Sequence, residues 1–289
     1  MKINVIAVIA VFVLAGGSAW GAVYRVDDSG RAPFSTIQAA VDAASHGDTV
    51  LVDEGYYNER IIMKNGVALI GAGASSTIID GTAIDYSTVH MGGSFDAMTL
   101  VQGFRIQGGT GPGWSACGVW LGLECSAVVR YNVIIGNRQG VMVSYNNGNP
   151  LIDHNTIVLN EDCGVQVYVG NETVVKGVAT LSNNIIVWNE SYGVYRGSDW
   201  TTDLPPHPEL HNNDVWDNQY ADYVEVAPGV GDLSLDPLFC MPPSNLGIED
   251  TSPCAGAGAG GTDIGAFPAG CPPVSVESTS WGAIKALYR

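Results

Sequence analysis

Between residues 100 and 218, short apolar runs alternate with asparagine and glycine on a fixed schedule. An Asn, a β-branched or apolar run and a second Asn five positions on recur as Asn132 to Asn137 (NVIIGN), Asn155 to Asn160 (NTIVLN), Asn184 to Asn189 (NIIVWN) and Asn213 to Asn218 (NDVWDN). The first asparagines are spaced by 23, 29 and 29 residues, and a glycine version, Gly103 to Gly108 (GFRIQG), lies another 29 upstream. Gly118-Val119, Gly140-Val141, Gly164-Val165 and Gly193-Val194 repeat in step. A period of roughly 20 to 30 residues marks a stacked repeat, and units built of short β runs without helical periodicity make it a β-solenoid.

Such runs cannot bury their inner faces alone, but stacked about 4.8 Å apart each coil hydrogen-bonds the next. Asn132, Asn155, Asn184 and Asn213 are expected to form a structural ladder, each in the left-handed region at a bend and amide-bonded to the asparagines above and below. With the Gly-Val pairs in register, Val119, Val141, Val165 and Val194 point inward, as do Leu121, Val143 and Val167 two residues on. Trp120, Met142, Gln166 and Tyr195 then form one outward column, with Tyr168 at the next outward position. Trp120 and Tyr195 stand on the order of 14 Å apart in it. Flat aromatic faces with the polar Gln166 between them suit stacking on a neutral glycan, so Trp120, Gln166, Tyr168 and Tyr195 are the candidate substrate-binding residues.

One stretch reads as helix. In residues 35–46 (STIQAAVDAASH), Ser35 and Gln38 make a capping-box pattern, Ile37, Ala40, Val41 and Ala44 form an apolar stripe, and Gly47 ends it. Ahead of a solenoid its task is to cover the open end of the core. Short strands follow over Thr49 to Val52, Arg60 to Met63, Val67 to Ile70 and Thr77 to Ile79. The expected organisation is a signal peptide over 1–22, an N-terminal strand and capping helix over 23–48, β-helix repeats over 49–218, a C-terminal cap over 219–271 and a tail over 272–289.

Composition narrows the partners. The 289 residues carry a formal charge of −17 with 29 acidic and 12 basic side chains, which argues against nucleic acid. An acidic chain also repels polyanionic sugars unless a divalent cation bridges them, and calcium is the one cofactor considered. Lys2, the apolar run from Val5 to Ala15, and Ala19 with Gly21 at a cleavage site read as a secretory signal, so the working compartment is expected to be extracellular or at the cell surface. That run is short for a membrane span. Six cysteines fit an oxidising compartment. Cys117 and Cys163 share a column two coils apart, about 9 to 10 Å, too far for a bridge, so Cys117 with Cys125 is the local candidate. Cys240, Cys254 and Cys271 are expected to supply one bridge, leaving Cys163 a buried thiol.

From Tyr24 to Gly81, with FSTIQAAVDAASHGDTVLVDEGYYNERIIMKNGVALIGAGASSTIIDG, the chain resembles the opening of right-handed parallel β-helix proteins of the pectin-lyase-like superfamily, pectin methylesterases included. With the later repeats the resemblance spans roughly residues 24–218. It implies an all-β, single-stranded right-handed parallel β-helix. The activity motifs depart from it. The QAVAL-like, DFIFG-like and LGRPW-like stretches of pectin methylesterases are missing, as are the NTD and RIK segments of polygalacturonases, and the single DD, Asp27-Asp28, precedes the helix. Leu151-Ile152-Asp153-His154 resembles the WIDH-like segment of pectate lyases in three of four positions, but their RxPxxR-like segment has no match. DPLFC at 236–240, SPC at 252–254 and GTDIGAF at 261–267 resemble the closing segment of many secreted bacterial β-helix proteins and imply a C-terminal cap.

Other motifs carry less. Gly256, Gly258 and Gly261 fit G-x-G-x-x-G without the required strand and helix, so no nucleotide site is expected. Asp153 beside His154 offers an acid–base or metal-binding pair, though the same column elsewhere is simply polar. Glu161-Asp162, Asp199 and Asp203, and Asp214 with Asp217 are acidic clusters that calcium could use. No His-x-x-x-His or Cys-x-x-Cys spacing occurs, so no dedicated metal site is assigned. Asn171 is the accessible glycosylation sequon; Asn189 in the second is a ladder residue. Were the protein a lyase, Arg138 and Lys176 would be the candidate bases, with a metal neutralising a uronate. Two functions remain: a secreted, monomeric β-helix that binds, or binds and cleaves, a polysaccharide along its flank, and a non-catalytic cell-surface scaffold or adhesion protein. Fold alone decides neither.

Overall fold

The computed structural model describes residues 21–82, 86–113, 115–144, 148–169, 177–198 and 207–271. Its strands form three parallel sheets that the chain visits in turn. Sheet A has eight strands, from Val23–Val26 to Glu209–His211; sheet B has seven, from Gly55–Tyr57 to Asp214–Trp216; sheet C has seven, from Ile61–Ile62 to Ala221–Val224. One coil shows the plan: Val128–Arg130 in A, Val133–Ile135 in B, Gln139–Ser144 in C, then Leu151–Asp153 back in A, one coil up. This is the parallel β-helix that the repeat predicts. Inside, like sits on like: Ile79, Ile106, Ile134, Ile157 and Ile186 stack in sheet B with none of their surface exposed. Stacking β-branched side chains in register buries a continuous column that no single coil could enclose.

Two asparagine ladders hold the corners. Between sheets A and B, the side-chain oxygen of Asn155 accepts the backbone N–H and the Nδ2 of Asn132, each at 3.1 Å. The Nδ2 of Asn155 donates to Val129 O at 2.9 Å, Asp153 O at 3.1 Å and Asn184 Oδ1 at 3.1 Å. Asn184 and Asn213 repeat the pattern one and two coils on. Between sheets B and C, Asn137, Asn160, Asn189 and Asn218 form a second ladder of the same design. Both end on aspartates. Asp232 Oδ1 accepts from Asn213, and Asp222 Oδ1 from Asn218.

The left-handed residue at each bend is not the asparagine but the one before it. Tyr131, His154, Asn183 and Asn212 have φ of 53°, 50°, 55° and 53°, and Gly136, Leu159, Trp188 and Asp217 take the same role at the second corner. Left-handed backbone costs an L-residue roughly 1–2 kcal/mol. The following Asn offsets this by bonding the carbonyl two residues back, as Asn132 Nδ2 does to Arg130 O at 2.9 Å. The glycine version of the phrase is accordingly shifted by one. Phe104 and Gly109 hold the ladder positions, their N–H groups donating to Asn132 and Asn137, while Gly103 and Gly108 are the left-handed residues.

The N-terminal end is closed by a helix, Ile37–Ala43, shorter than the pattern suggests. Ile37, Ala40, Val41 and Ala44 are buried against the first coil. The capping box does not form. Thr36 is the N-cap without a side-chain bond, and the Glu59 carboxylate takes the N–H groups of Ile37 and Gln38 at 2.7 and 2.9 Å. Gln38 is needed elsewhere: its amide pairs with the N–H and C=O of Ile62, standing in for the coil that the first strand of sheet C lacks below it.

The far end folds back. Val230 and Leu233 make single parallel bridges to His211 and Asp214 on the last coil. Beyond them a hairpin of Phe239–Met241 with Asn245–Ile248 and the loops to residue 271 lie against the outer face of sheet B. Phe239, Leu246, Ile248, Ile264 and Ala266 cover Val133, Ile135, Val158, Ile185 and Val187. Cys240 and Cys271 are bonded, with Cα atoms 5.5 Å apart. The proposed Cys117–Cys125 bridge is absent and both residues are buried thiols. Cys117 opens the six-residue strand Cys117–Gly122 and Cys125 lies past its end, so about 3.3 Å of rise per residue carries them beyond disulfide reach. Cys163 and Cys254 are buried thiols too.

Replacing Asn155 by Leu removes the acceptor of two Asn132 donors and three donations of its own. The expected cost is about 1–3 kcal/mol or more, read as a lower urea midpoint with an unchanged slope; an unchanged midpoint would show that the ladder does not hold the stack.

Candidate functional site

The outward side chains of sheet C leave room over part of its length. Its register puts His90, Trp120, Met142, Gln166, Tyr195 and Val224 in one outward column, while Val119, Val141, Val165 and Val194 face the core with none of their surface exposed. The aromatic rings lie down along the strand, over a glycine two residues on. A Cβ on Gly122 would stand 2.5 Å from Trp120 Nε1, and one on Gly197 3.1 Å from the Tyr195 ring. His90 repeats the arrangement over Gly92, and its ring lies 5.9 Å from that of Trp120. The column is not one open strip, however. Met142, expected on the surface, is 1% exposed.

Above Met142 the face opens into a cavity of about 500 Å³ lined by Gln139, Asp162, Cys163, Gln166, Tyr192, Tyr195, Arg196, Val224 and Glu225. Four successive coils contribute. Gln139 begins its strand and is 5% exposed, and its Oε1 has no hydrogen-bond partner among the described residues. An unpaired buried acceptor costs roughly 1–3 kcal/mol, so it calls for a donor from outside. Tyr192 and Tyr195 present rings 5.4 Å apart, and burial first, then the acidic groups around it, pushes the Tyr195 phenol up. Cys163 donates to Asp162 Oδ1 at 3.5 Å; burial and that carboxylate push its thiol far up, leaving a weak donor and no thiolate. Arg196 is 1% exposed and pairs in register with the inward Val167. It is the residue that the inward alternation should have flagged, because an arginine replaces a hydrophobe there. The aromatic-x-Gly recurrence at His90, Trp120 and Tyr195 was an equally readable signal.

The sequence candidates scatter. Gln166 and Tyr195 line the cavity; Trp120 and Tyr168 belong to the same sheet but not to its lining. Arg138 ties down a loop, donating to Gly111 O and Gly113 O at 3.2 and 3.0 Å. Asp153 and His154 sit at the corner of sheets A and B, where His154 Nδ1 lies 2.8 Å from Asp153 and Nε2 3.2 Å from Thr262 of the C-terminal segment. Ser182 and Asn183 bond the other oxygen of Asp153, and although burial works against it these bonds hold the carboxyl below its ordinary range. That corner pins the C-terminal segment. Lys176, Asn171, Asp199, Asp203, residues 1–20 and the 272–289 tail lie outside the described residues. Gly256, Gly258 and Gly261 belong to a loop with one short 3-10 turn, Ala259–Gly261. Among the described residues no cluster of three His, Cys, Asp or Glu could hold a metal ion.

Residues 50–215 match the model of the right-handed β-helix region. The chain belongs to this β-helix family. No curated protein sequence matches it. Among solved structures, pectin methylesterase from carrot is 13% identical with a TM-score of 0.37, covering 68% of this chain and 84% of that one. Pectin methylesterase PemA from Erwinia chrysanthemi is 16% identical with a TM-score of 0.31, covering 63% and 68%. Pectate lyase Pel9A is 13% identical with a TM-score of 0.37, covering 88% and 98%. Similarity at this level does not reach to residues, and no activity follows from it.

The most shifted carboxyls of this β-helix lie away from the cavity. Burial works to raise Asp80, but hydrogen bonds from Thr82, Tyr56 and Gln107 outweigh it and hold the group at about 2. Asp214, with no exposed surface, accepts from Leu235 N at 3.1 Å and Cys254 Sγ at 3.2 Å, and burial pushes it up to about 6. Its folded pKa lies above the ordinary 3.8, so stability is full below that value and falls as pH rises through about 6, where a charge must be buried. Between pH 4 and 8 the protein should lose up to about 3 kcal/mol relative to Asp214→Asn. Urea melts of the two at both pH values check this; a gap independent of pH would contradict it.

Proposed function

We propose that this β-helix binds a neutral polysaccharide outside the cytoplasm, seating part of the chain in the sheet C cavity. The observation that carries the reading is the Gln139 Oε1, buried and without a donor among the described residues, on a side chain that lines the cavity together with Tyr192 and Tyr195. A sugar brings the hydroxyl donor that Gln139 lacks, further donors for Asp162 and Glu225, and an apolar ring face for the tyrosines. A cavity of about 500 Å³ is within the usual range for small-ligand sites and takes a few sugar units at most. Neutral glycan fits a chain of charge −17 better than a polyuronate does. The secretory-signal pattern of Lys2, the apolar run from Val5 to Ala15, and Ala19 with Gly21 supports the placement outside the cytoplasm. Binding is preferred to cleavage because the catalytic candidates among the described residues, Arg138 and the Asp153–His154 pair, are engaged in holding loops elsewhere.

Two substitutions separate this from a structural role. Gln139→Met keeps the size and removes the unpaired acceptor, so the free protein should gain about 1 kcal/mol of stability while its retention in glycan-containing affinity gels falls. Tyr195→Ala should reduce retention with little change in melting. Retention by a panel of neutral polysaccharides that is the same for wild type and both variants, or absent throughout, would refute the site.

A further inference from the structure

The outer face of sheet B divides at a step. From Val133 upward its outward side chains lie under the C-terminal segment and are apolar apart from Thr156 and Asp214, which bond that segment through Ala266 N and Cys254 Sγ. One coil below, the register replaces Val133 by Arg105 and the face turns polar. Arg105 Nε donates to Gln107 Oε1 at 3.0 Å, Gln107 Nε2 donates to Asp80 Oδ2 at 2.8 Å, and the Tyr56 hydroxyl donates to the same oxygen. The Asp80 carboxylate is thereby filled, with Thr82 N on its other oxygen, and Gln107 stands between it and the guanidinium. Arg105 makes no ion pair, and its two terminal nitrogens have no acceptor among the described residues. That is unusual in a chain with 29 acidic side chains to 12 basic ones.

At this step lies a cleft of about 450 Å³ between the coils and the C-terminal segment. Val133, Leu246, Phe267, Pro243 and Ala74 give it apolar walls, and among the described residues Arg105 is the only charged one lining it and no carboxylate does so. Gln107 fixes the guanidinium by Nε and leaves the fork that matches a carboxylate unused. We infer that this cleft is a second binding site, for a small organic anion whose carboxylate or sulfonate pairs with Arg105 and whose apolar body lies on Val133, Leu246 and Phe267. It is independent of the sheet C cavity. The acid can be a free aromatic or aliphatic acid or the uronate of a sugar.

The probe is 8-anilino-1-naphthalenesulfonate, followed by fluorescence on the full chain at low salt, beside its uncharged analogue N-phenyl-1-naphthylamine. Saturable binding of one sulfonate per chain is expected, weakened about tenfold or more by Arg105→Gln, the loss of one charge-assisted pair. Tyr195→Ala should leave it unchanged. Displacement by benzoate would identify a free apolar acid, and equal displacement by galacturonate would identify a sugar source; both support the site. No saturable binding, equal binding by Arg105→Gln, or binding of the uncharged analogue as tight as that of the sulfonate in the wild-type protein would overturn it. The last comparison needs no variant to fold.

Discussion

The amide-to-amide hydrogen bond of the asparagine ladders sets the geometry on which the rest depends. Each Asn bonds across its own bend, to the coil below and to the coil above, so one side chain fixes both the local turn and the alignment of three coils. That alignment is what stacks Ile on Ile in the core and outward residue on outward residue on the flank. A slip of one residue would invert every side chain of a coil. The ladders end where coils end, on Phe104 and Gly109 at one side and on Asp232 and Asp222 at the other. An aspartate closes the series well, because it accepts as Asn does and has no further coil to donate to.

With the columns fixed, the flank becomes a place where local rules can be broken at tolerable cost. Sheet C does so twice within one cavity, with an acceptor left unpaired at Gln139 and an arginine at an inward position of its strand. Departures of this kind concentrate at functional sites, where a ligand supplies what the fold omits. Sheet B shows the opposite solution over most of its length. There the outward columns are sealed by the C-terminal segment, which bonds the polar Thr156 and Asp214 beneath it, and the cleft at Arg105 opens where the seal stops.

The period, the inward valines and the stacking of coils were legible because they follow from side-chain alternation, which the sequence states directly. The identity of the left-handed residue was not, since Asn is itself tolerant of that conformation and the bend looks the same shifted by one. Tyr131 and Leu159, the residues that do adopt it, advertise nothing. The helix cap was not legible because Glu59, 21 positions from Gln38, takes the first N–H groups of the helix while Gln38 turns to Ile62. The wrap of the C-terminal segment had a local sign that passed unused: in NVII, NTIV and NIIV no outward position carries a charge, as expected of a strand buried on both faces. Cys117 and Cys125 look like a bridge on a string of letters and not on an extended strand.

The site itself was half legible. Gln166 and Tyr195 follow from alternation, whereas Gln139, Tyr192 and Glu225 reach the cavity from strand ends and turns, where period-two reasoning stops. The most direct test of the account is a crystal structure of the protein with a bound neutral oligosaccharide. A sugar hydroxyl donating to Gln139 Oε1, with a ring face on Tyr192 or Tyr195, is the predicted result; an oligosaccharide bound elsewhere, with Gln139 Oε1 bonded to the protein's own groups, would contradict it.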